Sequence, residues 1–450
     1  MTPEALAEFT RIFAEDFSTS AGARAEASGD ESDMSESLPE AVVWPLETED
    51  VLLLVEACRK HKLPLTMRGG GTGLAGSAIP VRGGLVVDTT RMSKIVAVRP
   101  ADLSVTVQPG VRLDQLNKKL AKAGLWLPAS VGAATGGATI GGMVATAASG
   151  PESLKYGPIR RRVLGLTAVT GLGEVIRTGN RCPEAAAGYD LTGLLVGSEG
   201  TLAVITELTL AVEGVPDLRR EVMWSFADLD SMAEAVGMLR REGVDLAACE
   251  LLDARSADAL NAVEGSSLPN QPLLITAVEG AESAVPAADA QVRAICEAHG
   301  ATPVDVAEPL ALRHKIHGAA RACHPGTLTV WSDASFPLGE LGNVVRLLAQ
   351  LGEKHDLHLY TFGAVGAGII NIVIQARPDD FVAWDVAADV QEEVLDYVMD
   401  RGGSCAAWGG VGLTRRPFIT REHGMALEVM RRLKTAFDPE GVLNPGKVLP

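Results

Sequence analysis

The chain has 450 residues, of which 47% are hydrophobic and 4% aromatic, and this length predicts two or three domains. Its 40 basic and 57 acidic residues give a formal net charge of −17, and a surface of that sign repels phosphate backbones, which argues against a nucleic-acid partner. No apolar run reaches the ~18–20 residues of a membrane span, and the N-terminus lacks a signal-peptide pattern. The six cysteines are scattered without a C-x-x-C pair, so we expect a reducing, cytoplasmic setting.

The first 61 residues predict two helices joined by a polar segment. Residues 2–16 place Leu6, Phe9 and Phe13 on one helical face. Residues 18–40 are polar and acidic, and we expect them to be a solvated linker. A second helix is predicted over residues 51–61, following the helix-start residues 48–50.

Residues 68–77 form a loop with five glycines between two apolar runs. Each glycine costs roughly 0.5–1 kcal/mol relative to alanine in ordered structure, so this density indicates that backbone N–H groups must approach a ligand closely. Phosphate is the usual ligand of such a cradle. The loop also contains G-x-G-x-x-G, but a dinucleotide fingerprint must open a helix, and Pro80 and the following glycines forbid one. We therefore predict a strand–loop–strand unit and reject an NAD(P)-binding interpretation.

A second glycine-rich stretch occupies residues 127–146, where small hydroxyls and exposed amides suit a pyrophosphate or a flat polar ring. Strands are predicted at residues 163–169, 175–178 and 204–212. From residue 216 to 402 the glycine loops disappear, and repeated strand–helix–strand–strand segments predict an antiparallel sheet with helices on one face. The fold class expected is α+β. The predicted units are residues 1–38 (helix and linker), 39–214, 215–402 (a cap or substrate domain) and 403–450, which returns to the second unit.

At these motifs the chain resembles the FAD-linked oxidases related to vanillyl-alcohol oxidase, with the two-lobed PCMH-type flavin fold. Within them it is similar to the D-2-hydroxyacid dehydrogenases, meaning D-lactate dehydrogenase, D-2-hydroxyglutarate dehydrogenase and the glycolate oxidase large subunit. The resemblance covers roughly residues 40–450. It rests on R-G-G-G-T-G at 68–73, T-I-G-G at 139–142, K-Y-G at 155–157, G-Y-D-L at 188–191, G-S-E-G-T-L at 197–202, E-L-L-D at 250–253 and F-D-P-E-G-V-L-N-P-G-K at 437–447.

The resemblance implies noncovalent FAD, because Gly73 stands where some relatives carry the histidine that links the flavin. The first loop would hold the pyrophosphate, the second stretch the flavin ring and ribityl chain, and residues around Glu199 the adenine side. The residues expected to bind FAD are Arg68, Gly69, Gly70, Gly71, Thr72, Gly73, Ser77, Pro128, Thr139, Gly141, Gly142, Ala145, Thr146, Gly150, Tyr156, Gly157, Glu199, Gly200, Val204, Ile205 and Asn444.

The substrate half departs from the relatives. They carry His-x-Gly-Asp-Gly-Asn-x-His for a divalent metal, whereas residues 364–371 read A-V-G-A-G-I-I-N. They carry Gly-Glu-His-Gly for a further ligand and a base, whereas residues 407–410 read A-W-G-G. We therefore expect no metal, with Trp408 filling part of the site. A Glu422-His423-Gly424 sequence about fourteen residues later is interpreted as a coincidence.

The sequence does not assign a catalytic residue, because the alignment of the cap with the relatives is ambiguous by one residue near Arg321. Arg321 is a weak candidate, because it lies near the place where relatives keep a carboxylate-binding arginine; a surface arginine is an equal alternative. His314, His317 and His324 surround it in sequence and could supply a base, although histidines on a polar helix are more often structural.

Two functions remain open. The first is an FAD-dependent dehydrogenase that takes a hydride from a small 2-hydroxy acid or another alcohol and passes electrons to a protein acceptor. The second is a catalytically degenerate, FAD-holding relay or scaffold subunit of a larger complex. An iron–sulfur protein or an electron-transferring flavoprotein is the expected partner in either case, with a cytoplasmic location, at most peripheral to a membrane through the complex.

Overall fold

The first part of the chain builds a small, mostly parallel sheet. The structure, a computed structural model, describes residues 1–129 and 137–450, so residues 130–136 of the second glycine-rich stretch lie outside the described residues. The sheet order is β1-β2-β4-β3, in which β2 and β3 both run parallel to β4. Its elements are α1 (Pro3–Phe13), β1 (Phe17–Ser18), α2 (Ala21–Glu26), β2 (Ala41–Val43), α3 (Thr48–His61), β3 (Leu65–Arg68) and β4 (Leu85–Asp88).

Local signals account for the two long helices here. The Thr2 hydroxyl accepts the Ala5 N–H at 3.2 Å, and a proline at the start of α1 removes one donor that would have no partner. A reciprocal capping box between Glu47 and Asp50 begins α3. α1 buries Phe9 and Phe13 against α3, as the helical pattern predicts.

The second lobe is an antiparallel sheet of five strands, in the order β5-β6-β10-β8-β9. A hydrophobic cluster separate from that of the first lobe packs beneath it, and it includes α4 and α5. The elements are β5 (Ile95–Arg99), β6 (Ser104–Val107), α4 (Leu113–Leu120), β7 (Leu125–Trp126), α5 (Ile140–Ala145), α6 (Ser153–Tyr156), β8 (Val163–Thr170), β9 (Val175–Gly179), α7 (Leu191–Leu195), β10 (Ala203–Ala211) and β11 (Glu213–Gly214).

A seven-stranded antiparallel sheet forms the cap domain, in the order β15-β12-β14-β13-β17-β18-β16. Its elements are β12 (Leu218–Ser225), α8 (Leu229–Arg241), β13 (Leu246–Leu252), α9 (Ala254–Glu264), β14 (Leu273–Gly280), α10 (Val285–Ala298), β15 (Thr302–Val304), α11 (Pro309–Arg313), α12 (Ile316–Cys323), β16 (Leu328–Ser335), α13 (Leu341–Lys354), β17 (His358–Gly363), β18 (Ile369–Ala376) and α14 (Phe381–Asp400).

Helices cover both faces of this sheet, so the prediction of helices on one face is wrong. Every residue of β13 and of β18 is buried. One face packs with α8, α10, α13 and α14, and the other packs with α9, α11 and α12. The sheet is a central layer, and strands covered on both sides carry apolar residues at successive positions. The repeating order of strands and helices in the sequence does not indicate which face of the sheet each helix covers.

The acidic N-terminal segment also differs from the predicted solvated linker. It contains β1, which pairs with β2, and the short helix α2. Ser28 and Ser32 are buried, and the Arg24 side chain donates to the Pro39 carbonyl at 2.6 Å. Two contacts with distant residues also hold the segment, because Asp33 pairs with Arg321 at 3.1 Å and the Ser37 hydroxyl donates to the Pro80 carbonyl at 2.9 Å. Composition alone does not report such contacts.

The C-terminal segment returns to the first lobe through α15 (Ile419–His423) and α16 (Ala426–Phe437). Leu443 forms a parallel bridge with Leu65, which extends β3 at its edge. The Asp438 carboxylate accepts the N–H groups of Val442 at 3.0 Å and Leu443 at 2.9 Å, and it pairs with the Lys434 ammonium. Among the described helices, none is long and apolar enough to cross a bilayer.

We expect Asp438→Ala to lower the free energy of unfolding by about 3 kcal/mol, because it leaves the largely buried Lys434 ammonium without its carboxylate and two N–H groups without an acceptor. Urea unfolding followed by circular dichroism measures the change. Glu440→Ala is the matched control: it removes a half-exposed ion pair with Arg59 and should cost less than about 1 kcal/mol. Equal decreases in the free energy of unfolding for the two variants would contradict this role of Asp438 in the turn.

Candidate functional site

The glycine loop after β3 lies against the backbone of residues 137–142 with no room for side chains. A Cβ at Gly70 would lie 1.9 Å from the Gly137 carbonyl oxygen, and a Cβ at Gly69 would lie 2.5 Å from the Thr139 hydroxyl. Gly71 has φ +71°, a conformation that other residues rarely adopt. At Gly69 and Gly70 glycine is therefore required by close approach to the protein's own residues 137–139, whereas the close approach to a ligand that the glycine density predicts stays a prediction.

The second wall of the site begins at α5. The Thr139 hydroxyl accepts the Gly142 N–H at 3.2 Å and caps this short helix. Gly141 donates its N–H to the Pro109 carbonyl at 2.8 Å, and a Cβ at Gly141 would lie 2.4 Å from the Pro109 Cβ. Small residues are thus needed on this side of the site as well.

Between these walls lies a cleft that encloses about 1150 Å³, including the part open to solvent. The structure brings together sixteen of the residues predicted to bind FAD in its lining: Arg68, Gly69, Gly70, Gly71, Thr72, Gly73, Ser77, Thr139, Gly141, Gly142, Ala145, Thr146, Glu199, Gly200, Val204 and Ile205. The prediction did not include the further lining residues Met67, Leu74, Ala78, Thr89, Pro109, Ala138, Met143, Ala148, Ala203 and Gly409. Most of these are apolar neighbours of the predicted ones, and only their sequence adjacency could have indicated them.

Five residues predicted to bind FAD are not in this lining. Pro128 and Gly150 are buried elsewhere in the lobe. Tyr156 meets Trp126 edge to face, with ring centroids 5.6 Å apart, and Gly157 follows it with φ +79°. Asn444 lies behind the cleft wall, where its amide donates to the carbonyls of Ser77 at 3.2 Å and Glu199 at 2.7 Å. The structure gives these residues packing and bracing contacts, and a role at FAD stays a prediction for each.

Glu199 joins the flavin lobe to the C-terminal segment. Its buried carboxylate accepts the Ser77 hydroxyl at 2.5 Å and the N–H groups of Val411 at 2.6 Å and Gly412 at 2.9 Å. Burial raises the pKa of this carboxyl, and the hydrogen bonds act in the opposite direction. Three donors occupy the carboxylate, so its observed contacts are structural.

Trp408 forms the cap-side wall of the cleft. Its indole N–H donates to the Asn371 side-chain oxygen at 2.8 Å, and its ring meets Trp331 edge to face at 5.1 Å. The buried Asp333 carboxylate accepts three consecutive N–H groups of this turn, from Ala407 at 2.8 Å, Trp408 at 2.7 Å and Gly409 at 3.2 Å. Trp408 therefore fills the place in the cleft wall that the sequence predicted, and Asp333 is the positioning residue that sequence reasoning missed.

At the positions where the resemblance implies metal ligands, this chain carries no ligand side chain besides Asn371. Ala364 and Val365 are buried and apolar, and Asn371 holds Trp408. A Cβ at Gly409 would lie 2.2 Å from the Trp331 ring, so a larger residue could not stand there without moving Trp331. Within residues 1–129 and 137–450, no cluster of three or more His, Cys, Asp or Glu side chains is arranged to hold a metal ion.

The other candidate polar residues lie away from the cleft. Arg321 pairs with Asp33 at 3.1 Å. His314 and His317 are largely buried within the cap, and His324 hydrogen-bonds the Tyr360 hydroxyl at 2.7 Å. Glu422 accepts the Cys405 N–H at 2.9 Å, and neither it nor His423 lines the cleft.

This cleft, between a glycine-cradled lobe and an antiparallel cap, is that of a flavoprotein, and the chain belongs to the FAD-linked oxidase family. The family described as "FAD binding domain" matches residues 39–179, and "FAD linked oxidases, C-terminal domain" matches residues 215–448. FAD is the cofactor, and a cleft wall in which Gly69, Gly70, Gly71 and Gly73 present backbone without side chains suits its pyrophosphate. The fold class and the resemblance predicted from the sequence are confirmed.

Similarity to named proteins indicates which type of FAD-linked oxidase the chain resembles. The chain is 32% identical to the probable mitochondrial D-lactate dehydrogenase of Danio rerio, over 91% of this chain and 84% of that protein. It is 29% identical to the glycolate oxidase subunit GlcD of Bacillus subtilis, over 96% of this chain and 94% of that one. Among solved structures, the 4-ethylphenol oxidase of Gulosibacter chungangensis superposes with a TM-score of 0.82 at 17% identity, covering 99% of this chain and 97% of that one; this likeness shows the fold alone.

We expect Gly70→Ala to lose FAD, because the added Cβ would displace the Gly137 carbonyl from the cradle. The ratio of flavin absorbance to protein absorbance after purification, and the fluorescence change on adding FAD, measure binding. Gly214→Ala is the control: no atom lies within 4 Å of a Cβ there, and its φ is ordinary. Full flavin content in Gly70→Ala would show that the loop does not need this close approach.

The pH dependence of stability should carry a contribution from His314. Burial and the nearby Arg313 lower the pKa of His314 to about 4, with Glu221 acting in the opposite direction and Arg219 in the same one. As pH falls from about 6.5 to 4 the unfolded chain takes up a proton at His314 that the folded chain does not, so the free energy of unfolding decreases by up to about 3 kcal/mol.

In His314→Gln this decrease should be smaller by that amount, as measured by urea unfolding between pH 4 and 7. His355→Gln replaces a half-buried histidine whose ring makes no hydrogen bond among the described residues, and it serves as the control. Superimposable pH profiles for the wild type and His314→Gln would contradict the assignment.

Proposed function

We propose that this protein is an FAD-dependent dehydrogenase that oxidises a small 2-hydroxy acid or another alcohol without a bound divalent metal. The observation that supports this most directly is the cleft itself, in which the glycine cradle and β10 face the cap-side Trp408 turn. FAD supplies a two-electron acceptor when bound. The chain supplies an enclosed site between two domains, which is the usual place for a substrate.

Trp408 would define where the substrate lies. Its indole N–H is already bound by Asn371, so the side chain offers an apolar face to the cleft and no free donor. Trp331 fixes that face from behind. Orientation of the substrate would therefore come from shape and ring contacts rather than from metal coordination.

Noncovalent attachment of FAD is part of the proposal. Gly73 stands at the position of the linking histidine in some relatives, and none of the residues that line the described cleft is a histidine, cysteine or tyrosine. The five predicted FAD contacts outside this lining, including Asn444, would act by bracing the residues that do line it. Electrons would leave to a protein acceptor, either an iron–sulfur protein or an electron-transferring flavoprotein.

A second candidate is the relay or scaffold subunit, favoured by the shortage of acid–base groups. The titratable side chains in the described lining are Arg68 and Glu199. Glu199 already accepts three hydrogen bonds, and a general base is typically worth 10²–10⁴-fold in rate. A chain without a free base at the cleft would transfer electrons between partners and oxidise no small molecule itself.

Anaerobic mixing with D-lactate, glycolate, D-2-hydroxyglutarate and a set of uncharged alcohols tests the first proposal. At least one should bleach the flavin absorbance, and prior treatment with a chelator should leave the rate unchanged, because no group of three or more His, Cys, Asp or Glu side chains in the described part of the chain is arranged to hold a metal ion. Dithionite provides the control for a reducible flavin.

If dithionite bleaches the flavin and no alcohol does, the dehydrogenase proposal fails. Purification of the native assembly then tests the second candidate, which requires partner subunits. A lone monomer or homodimer with substrate turnover would overturn that candidate instead.

A further inference from the structure

We propose that residues 28–37, called the strap below, hold the glycine loop in its FAD-binding shape and tie it to the cap domain. The strap lies outside the stretches matched by the family, residues 39–179 and 215–448. It contains eight of the acidic and hydroxyl residues that the sequence alone assigns to a solvated linker: Ser28, Asp30, Glu31, Ser32, Asp33, Ser35, Glu36 and Ser37.

The first contact is made by Arg68, the last residue of β3. Its guanidinium donates to the Gly29 carbonyl on the strap. The same guanidinium lies over the loop, since a Cβ at Gly71 would be 2.2 Å from the Arg68 Nη2 atom. Arg68 is thus wedged between the strap and the loop, and the strap fixes the side chain that covers Gly71.

Two more contacts of the strap lie beside the middle of the loop and just after its end. The Asp30 Oδ2 atom is buried, has no hydrogen-bond partner among the described residues and would lie 3.3 Å from a Cβ at Gly73, and the Lys447 ammonium attracts this carboxylate. Ser32 donates to the Asp30 carboxylate from its backbone at 3.1 Å. At the far end, the Ser37 hydroxyl donates to the Pro80 carbonyl at 2.9 Å.

Asp33 supplies the contact with the cap. Its carboxylate accepts the Arg321 guanidinium at 3.1 Å and the Thr329 backbone N–H at 2.8 Å. Its own φ is +54°, a conformation that aspartate tolerates better than most residues but that still has a cost. The backbone is therefore held in this conformation by the two bonds to α12 and β16.

The physical consequence concerns preorganisation. A loop with five glycines samples many conformations, and FAD binding must select the one in which its N–H groups converge. A strap that binds Arg68 at the start of the loop, lies against Gly73 in its middle and binds Pro80 just after its end removes part of this ordering cost before FAD arrives. Because Asp33 joins the strap to the cap, loss of that join should loosen the loop although Asp33 is not in the described cleft lining.

The test uses the full-length holoprotein and needs no substrate, so its outcome is independent of the dehydrogenase proposal. Free FAD fluoresces more strongly than bound flavin, and its release is followed after dilution. Asp33→Ala, which loses both bonds, should release FAD about tenfold faster and bind it about tenfold more weakly. Asp33→Asn, which keeps an oxygen for the Thr329 N–H, should fall between Asp33→Ala and the wild type.

Asp379→Ala is the matched control, because it removes the same side chain from an exposed ion pair with Arg377 and should release FAD at the wild-type rate. Arg321→Ala should weaken FAD binding on its own, and the double variant with Asp33→Ala should add little, because both substitutions break one pair. The thermal unfolding temperature of each apoprotein is also measured. Faster FAD release with an unchanged unfolding temperature indicates lost preorganisation of the loop, whereas a lower unfolding temperature indicates a general loss of folding.

If Asp33→Ala does not fold, Ser37→Ala tests the strap at its other end and should also speed FAD release. Release at the wild-type rate in all folded strap variants would overturn the proposal. Additive effects of Asp33→Ala and Arg321→Ala would overturn the link to the cap.

Discussion

The close approach of two backbones, at Gly70 and Gly137, is the constraint on which the site depends. A single Cβ at Gly70 would lie 1.9 Å from the Gly137 carbonyl, so the two walls of the cleft meet without any side chain between them. This contact requires β3 and β4 to deliver the loop at one position and α5 to present its first residues at another. Both lobes of the flavin domain are therefore needed to form one cradle, and neither could form it alone.

A buried carboxylate then joins this cradle to the end of the chain. Glu199 accepts a hydroxyl from Ser77 in the loop and two backbone N–H groups from the segment after Trp408. An ionised carboxylate is costly to bury unless donors surround it, and these three donors come from two parts of the chain, the glycine loop and the segment after Trp408. The position of the Trp408 turn is thereby coupled to the loop that faces FAD.

The residues on the cap side of the cleft form a connected network of hydrogen bonds and ring contacts around Trp408. Asp333 accepts the Trp408 backbone N–H at 2.7 Å, and the Asn371 side-chain oxygen accepts the Trp408 indole N–H at 2.8 Å. Trp331 packs on Trp408 and leaves no space for a side chain at Gly409. Asp333 Oδ2 accepts all three N–H groups of this turn, whereas Asp333 Oδ1 has no hydrogen-bond partner among the described residues and lies 3.7 Å from the buried Arg415 guanidinium. The Trp408 ring that this turn holds presents an apolar wall to the cleft.

The sequence by itself determined the strand–loop–strand unit of β3, the glycine loop and β4, because glycine density and the position of Pro80 act locally and need no knowledge of distant residues. It also determined the α+β class, FAD and the presence of Trp408 in the cleft wall. Only the tertiary structure decided which side of the cap sheet each helix covers, and that the acidic segment is a strap rather than a linker. Asp33 and Arg321 are 288 residues apart, and no periodicity or motif reports an ion pair across that separation. Such contacts depend on where the folded backbone brings two charges together, which composition and local pattern do not specify.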